Sequence, residues 1–231
     1  MQASSVSSPV NSPILVWDLP TRVFHALLIA AFAGAYLSGE TERAPLLHVT
    51  LGWTVAALIA FRLAWGFVGT RHARFASFVR GPSQVAAYLA SLWTPRPQHH
   101  AGHNPAGGWA VLALIVLCAA TALSGWASVQ PGAPHALEEL HEGCAQVLLA
   151  TVGVHVAGVL VASWLHHENL ARAMVTGCKR AAPGEAIRGA AAWLAVVLVA
   201  AVLAFWWAEW SHPEWLDLRL PVEESREHNR E

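Results

Sequence analysis

The sequence predicts an all-α integral membrane protein, a bundle of four transmembrane helices followed by a fifth. Three observations carry that reading. Hydrophobic residues make up 55% of the 231 positions and charged residues only 13%, about half the charge of a soluble domain. The mean hydropathy is +0.41. Five apolar runs are each long enough to cross a hydrocarbon core, which takes about 20 helical residues.

The first run covers about Trp17 to Ser38, and Pro20 is tolerated in its opening turn because that N–H has no helical partner anyway. The stretch before it has no positive charge and no convincing cleavage site follows, so the run is expected to be a retained helix rather than a signal peptide. The second run starts after Pro45 and reaches about Phe67. The third is Trp109 to Ser128, the fourth about Leu140 to Leu165, and the fifth Gly189 to Trp210. Ser83 to Trp93 is helical in pattern but too short to span, so it is expected along the surface.

Lysine and arginine placement sets the expected orientation. With the N-terminus inside and the C-terminus outside, Arg22, Arg62, Arg71, Arg74, Arg80, Arg96, Arg172, Lys179, Arg180 and Arg188 fall on the cytoplasmic side. Arg43, Arg219, Arg226 and Arg230 fall outside. Trp17, Trp65, Trp93, Trp109, Trp126, Trp164, Trp207 and Trp210 lie near the span ends, as interfacial aromatics do. The expected organisation is a polar leader (1–13), a four-helix core (14–180), a fifth span (181–210) and an acidic tail (211–231).

A net charge of −1 gives no electrostatic basis for binding nucleic acid. Cys118, Cys144 and Cys178 form no CxxC or CxxCH, which excludes covalent haem attachment by the usual motif. Histidine carries the signal instead, with 13 in the chain. Four fall inside spans, where ionisable groups default to functional candidates: His25, His48, His141 and His155. His141 and His155 are fourteen residues apart, so they share a helix face about 21 Å apart along the axis. Alternating helix direction matches His25 with His155 in the inner leaflet and His48 with His141 in the outer one. Two imidazoles on opposite sides of a macrocycle are what a bis-histidine haem needs, so two haems, one per leaflet, are expected, with iron held by these four residues.

Rival chemistries fit less well. His141-Glu142 opens an HExxH string, but position 145 is Ala, so a zinc-protease site lacks its second histidine. A haem-free metal or proton transporter would want carboxylates in the core, where Glu142, near the outer edge, is the one candidate. Gly34, Gly52, Gly125, Gly153 and Gly158 lie within spans and suit close approach of a flat cofactor or simply of another helix.

The strings Trp17-Asp18-Leu19-Pro20-Thr21-Arg22-Val23-Phe24-His25, Arg62-Leu63-Ala64-Trp65-Gly66-Phe67-Val68-Gly69 and Gly102-His103-Asn104-Pro105 resemble those of the prokaryotic cytochrome b561 family. His166-His167-Glu168-Asn169-Leu170, with Ala173-Met174 and Thr176-Gly177, extends the resemblance, which covers about Ile14 to Arg180. The family is similar to the b-type cytochrome subunits of membrane-bound hydrogenases and formate dehydrogenases. The resemblance implies a four-helix haem-binding core with two haem b groups on His25, His48, His141 and His155. It also implies electron transfer between quinone and a redox partner in the bacterial inner membrane.

Haem propionates want charge-assisted partners. Arg22, one turn before His25, is the first inner candidate; Arg62, Arg71, Arg74 and Lys179 follow, although each also reads as a topology determinant. Arg43 is the outer candidate. His166 lies about 20° from the His155 face, where it could meet a propionate or a quinone carbonyl. Among the loop histidines, His103 ranks highest. The expected partners are the bilayer, quinone or quinol, and a periplasmic cytochrome c or a dehydrogenase or hydrogenase subunit, with an oligomer open. An anchor whose haems mainly hold a catalytic subunit in place is the alternative function.

Overall fold

The computed structural model describes residues 12–39, 45–94 and 97–212. The elements in order are β1 (Ser12–Leu15), α1 (Leu19–Gly39), α2 (Pro45–Val68), α3 (Phe75–Phe78), α4 (Pro82–Ser91), α5 (Pro105–Ser128), α6 (Ala136–Leu165), α7 (Leu170–Thr176), β2 (Cys178–Ala181) and α8 (Ala192–Ser211). Helices α1, α2, α5, α6 and α8 are long and apolar enough to cross a membrane. The protein is a multi-pass, all-α membrane bundle, and α4 is the short helix expected from the Ser83 to Trp93 pattern.

Local chemistry sets the helix starts. The Asp18 carboxylate accepts the Thr21 amide at 2.7 Å, capping α1. Asn104 caps α5 by accepting the Gly107 amide at 2.7 Å, with Pro105 in the first turn. That cap begins the helix four residues before Trp109, where the apolar run becomes continuous. Helix α6 likewise starts at Ala136, because acidic Glu138 and Glu139 suit a first turn although they interrupt the hydropathy signal.

The core runs along α2, whose Leu51, Val55, Leu58 and Ile59 pack with Phe24 and Ala31 of α1, Ile115 and Cys118 of α5, Leu148 of α6 and Val202 of α8. The Trp206 indole N–H donates to Thr54 Oγ1 at 2.9 Å, fastening α8 to α2. Backbone packing is uneven. Helix α1 lies close along α2, and α6 lies close along α5, while α2 bridges to α5. Neither α1 nor α2 makes a comparably extensive backbone approach to α6 among the described residues. The bundle is thus two helix pairs joined along α2 and α5, with α6 standing off from α1 and α2.

One end of the bundle carries a polar cap that hydropathy did not predict. β1 and β2 pair antiparallel, Ser12 opposite Ala181 and Leu15 opposite Cys178. Gly177, left-handed at φ 84°, ends α7 and turns its carbonyl to the amides of Val16 and Trp17 at 2.9 and 3.0 Å. Ile187 N–H donates to Leu15 O, and Leu19 N–H to Ala190 O. Four crossings separate β1 from β2, so their pairing places both on one side, as an even number of spans requires. The segment between α2 and α5 joins them through Lys179, which donates to the His100 carbonyl at 2.9 Å.

The cap corrects one sequence expectation. Trp17 was grouped with the interfacial aromatics, but it is buried with Val16, Ala101, Ala173 and Ala181 in a small second core. Trp65 is also turned inward, its indole N–H donating to the Asp18 carboxylate. Trp93, Trp109, Trp126, Trp164, Trp207 and Trp210 are exposed, as interfacial residues should be.

Candidate functional site

The four in-span histidines fall into two groups, one toward the cap and one toward the far end. On the far side, His48 sits in the first turns of α2 and His141 in those of α6. Their rings lie 5.9 Å apart, centre to centre, with planes at 89°. Each is oriented by a backbone carbonyl of a neighbouring helix. His48 Nδ1–H donates to Ala35 O of α1 at 2.8 Å, and His141 Nδ1–H to Thr121 O of α5 at 2.9 Å. A carbonyl can only accept, so the proton of each ring is held on Nδ1. Nε2 keeps its lone pair, the arrangement found in metal-bound histidines.

Glycines make room for both rings. A Cβ at Gly125 would sit 2.8 Å from the His141 imidazole, and one at Gly39 would sit 3.0 Å from His48 Nδ1. Gly125 was among the spans' small residues singled out above. Gly39 was not, because it closes α1 and only the fold brings it to His48. Gly34 meets the Leu51 side chain, while Gly52, Gly153 and Gly158 face open space.

A haem fits this donor set. His48 and His141, with ring centres 5.9 Å apart and each ring proton tied back on Nδ1, would hold a haem by one imidazole from each helix. Among the described residues no group of three or more His, Cys, Asp or Glu could hold a bare metal ion. Two paired imidazoles without a third protein donor suit a metal that brings its own equatorial ligands.

On the cap side, His25 of α1 and His155 of α6 are close enough for their charges to act on one another. His103 joins them electrostatically, within reach of His155, Arg62, Lys179 and His72. Its ring lies between Trp17, at 4.7 Å, and Phe78, at 4.5 Å. Burial, with Arg62 and Lys179 nearby, pushes His103 down to about 3, so it is neutral at physiological pH. Arg62 is 3% exposed and stacks over Phe75 and Phe78 at 5.0 and 5.9 Å. Asp18, 1% exposed, holds the Thr21 amide, the Trp65 indole and the Thr70 hydroxyl.

The remaining candidates divide. Arg22 donates to the Val175 carbonyl, and its Nε is buried without a partner. Arg71 reaches the Gly184 carbonyl at 2.8 Å. Lys179, buried, lies 3.8 Å from the Glu168 carboxylate; burial pulls its ammonium below the usual range while Glu168 and Glu185 oppose the shift. Arg43 and the tail from residue 213 lie outside the described residues.

His166 is the C-cap of α6, its N–H still donating to Ala162 O at 3.0 Å. Its ring meets His99 at 5.4 Å beside Glu168, on a cap cavity of about 380 Å³ that Arg180 and Glu185 also line. Burial, His99 and Lys179 lower His166, with Glu168 opposing.

A buried carboxylate does exist near the far end of a span, but it is Glu209 of α8, 6% exposed, rather than Glu142, which is exposed. Sequence reasoning missed it because it sits among the tryptophans that close the apolar run.

With this geometry in view, comparison with known proteins gives one match. The family described as prokaryotic cytochrome b561 matches residues 16–177, more than two thirds of the chain. No curated protein and no solved structure matches.

Proposed function

The chain belongs to the prokaryotic cytochrome b561 family, and we propose that it moves electrons through two haem b groups between quinone and a protein redox partner. Membership makes it a haem b-binding membrane cytochrome of electron transfer; the ligands, the number of haems and the partners are our reading. The observation that carries it is the far-side pair: two imidazoles with ring centres 5.9 Å apart, each with its proton tied back to a backbone carbonyl.

Haem supplies a one-electron redox centre whose potential responds to burial, hydrogen bonding and nearby charge. The residues do the rest. Ala35 O and Thr121 O hold His48 and His141 in one tautomer and orientation, and raise their basicity as ligands. Gly39 and Gly125 leave the rings room to face one another. His25 and His155 form the second pair. The ligand sites on α6 are about 21 Å apart along the axis, which suits one haem per leaflet. The Lys/Arg distribution assigns the cap to the cytoplasm, and His166 is the proposed donor to a quinone carbonyl there. The partner is a periplasmic cytochrome c or a dehydrogenase or hydrogenase subunit.

In proteoliposomes, a quinol analogue should reduce the haem of the purified protein, and the reduced protein should pass electrons to an added acceptor. The His48→Ala variant should keep one haem and lose the transmembrane step. Haem that no quinol reduces would contradict the electron-transfer reading and favour a role as anchor.

A further inference from the structure

Several buried polar atoms on the cap side have no hydrogen-bond partner, among them Thr21 Oγ1, Arg22 Nε and His100 Nδ1, and two more belong to side chains packed on the same aromatic ring. Arg62 Nη1 is buried with no hydrogen-bond partner, and so is His103 Nδ1. Both side chains pack on Phe78, the guanidinium 5.9 Å and the imidazole 4.5 Å from its ring centre. Among the described residues Arg62 makes no ion pair. Its charged neighbour Asp18 is already committed to three donors, and the other buried cation, Lys179, is matched by Glu168. Trp17, Phe75 and Phe78 wall the two donors, with Asp18, His72, Lys179 and His155 within electrostatic reach.

A buried guanidinium without an anion costs several kcal/mol. A carboxylate would accept from Arg62 in the strong, charge-assisted geometry that arginine favours and from His103 with its Nδ1 protonated. The position is specific as well, since His103 lies within electrostatic reach of both Arg62 and His155. Asp18 acts on Arg62 from a distance, but Nη1 itself has no acceptor, and an anion brought by a ligand would supply one.

We propose that Arg62 and His103, meeting across Phe78, form the carboxylate seat that holds a propionate of the haem ligated by His25 and His155. This rests on the two-haem reading above. It replaces Arg22, whose guanidinium is bonded to the Val175 carbonyl, as the principal propionate partner. Arg62 and His103 are positioning residues: they hold the edge of the cofactor and place a positive charge beside it.

The test is a potentiometric titration of the purified holoprotein, with haem per chain measured on the same samples, for wild type, Arg62→Gln, Arg62→Lys and His103→Ala. Removing the positive charge favours the oxidised haem. In Arg62→Gln, one of two components should therefore move to lower potential by about 59 mV, tenfold in the one-electron equilibrium. The other component should stay in place, and Arg62→Lys should restore most of the shift. His103→Ala should move the same component by less. Two haems with both potentials unchanged in Arg62→Gln would overturn the seat while leaving the two-haem reading intact. Loss or equal shift of both components would also overturn it, by showing a role for Arg62 in the whole fold. Wild-type protein with fewer than two haems would instead overturn the reading on which the seat rests. A soluble anion could supply the same chemistry, so the wild type is also titrated across a range of inorganic phosphate. Potentials independent of phosphate are expected for a propionate, and a phosphate-dependent component would overturn that assignment.

Discussion

The two histidine pairs, proposed as ligands of the same kind, differ in almost everything around them. At the far end, His48 and His141 are held by backbone: two carbonyls fix the rings and two glycines clear space for them. At the cap end, His155 is within electrostatic reach of His25 and His103, and His103 in turn of Arg62 and Lys179, with Asp18 acting on Arg62. A site built from backbone dipoles has little that can titrate. A site ringed by buried charges has a potential and a stability that depend on those charges. On the proposed two-haem reading, one plain site and one charged site would have unlike potentials without any change of ligand.

The most drastic way to separate the ends is to remove a ligand. His141→Ala should abolish the far-side haem and leave the cap-side haem in place, halving the haem per chain in a pyridine haemochrome assay. Loss of both would mean that the two sites do not assemble independently. A milder lesion crowds the ring instead. Gly125→Val puts branched bulk where even a Cβ would lie 2.8 Å from His141. Far-side occupancy should fall severalfold, read as a smaller far-side component in the reduced spectrum, with the cap-side component unaltered.

Acid should act on the opposite end. His103 takes up a proton in the folded protein only near pH 3, while an unfolded chain does so near 6.5. The unfolded state therefore binds more protons between those values, and stability falls as pH drops below about 6.5. His100 and His166, also lowered by burial, act in the same direction. Thermal melts in detergent should show the cap-side haem released first on acidification, and His103→Gln should flatten that limb. Equal acid sensitivity at both haems would break the contrast. The smallest expected effect is that of Asp18→Asn, which weakens the charge-assisted bonds to Thr21, Trp65 and Thr70 and leaves Arg62 without its nearby negative charge. A loss of about 2 kcal/mol, seen as a lower melting temperature, is expected without change in the far-side spectrum.

The difference between the ends also explains what could be read in advance. Spans and in-span histidines are local signals, a run of apolar residues and an ionisable group within it, so all five helices and the pairing by depth follow from sequence spacing. The cap is built from contacts between distant segments. Ser12 finds Ala181 across the whole four-helix core, and strands of four residues leave no pattern to detect. Trp17 has the same composition signal as an interfacial tryptophan, and only the closing of α7 over it makes it core. Arg62 stood level with Arg71, Arg74 and Lys179 as a propionate candidate or topology determinant, and only its burial against Phe75 and Phe78 sets it apart.

Two haem sites in unlike surroundings should separate in a potentiometric titration of the wild-type protein followed at the reduced haem absorption band. Two one-electron components of equal amplitude, at distinct potentials and summing to two haem b per chain, are predicted. A single component accounting for one haem, or protein that remains colourless when made with adequate haem, would contradict the account.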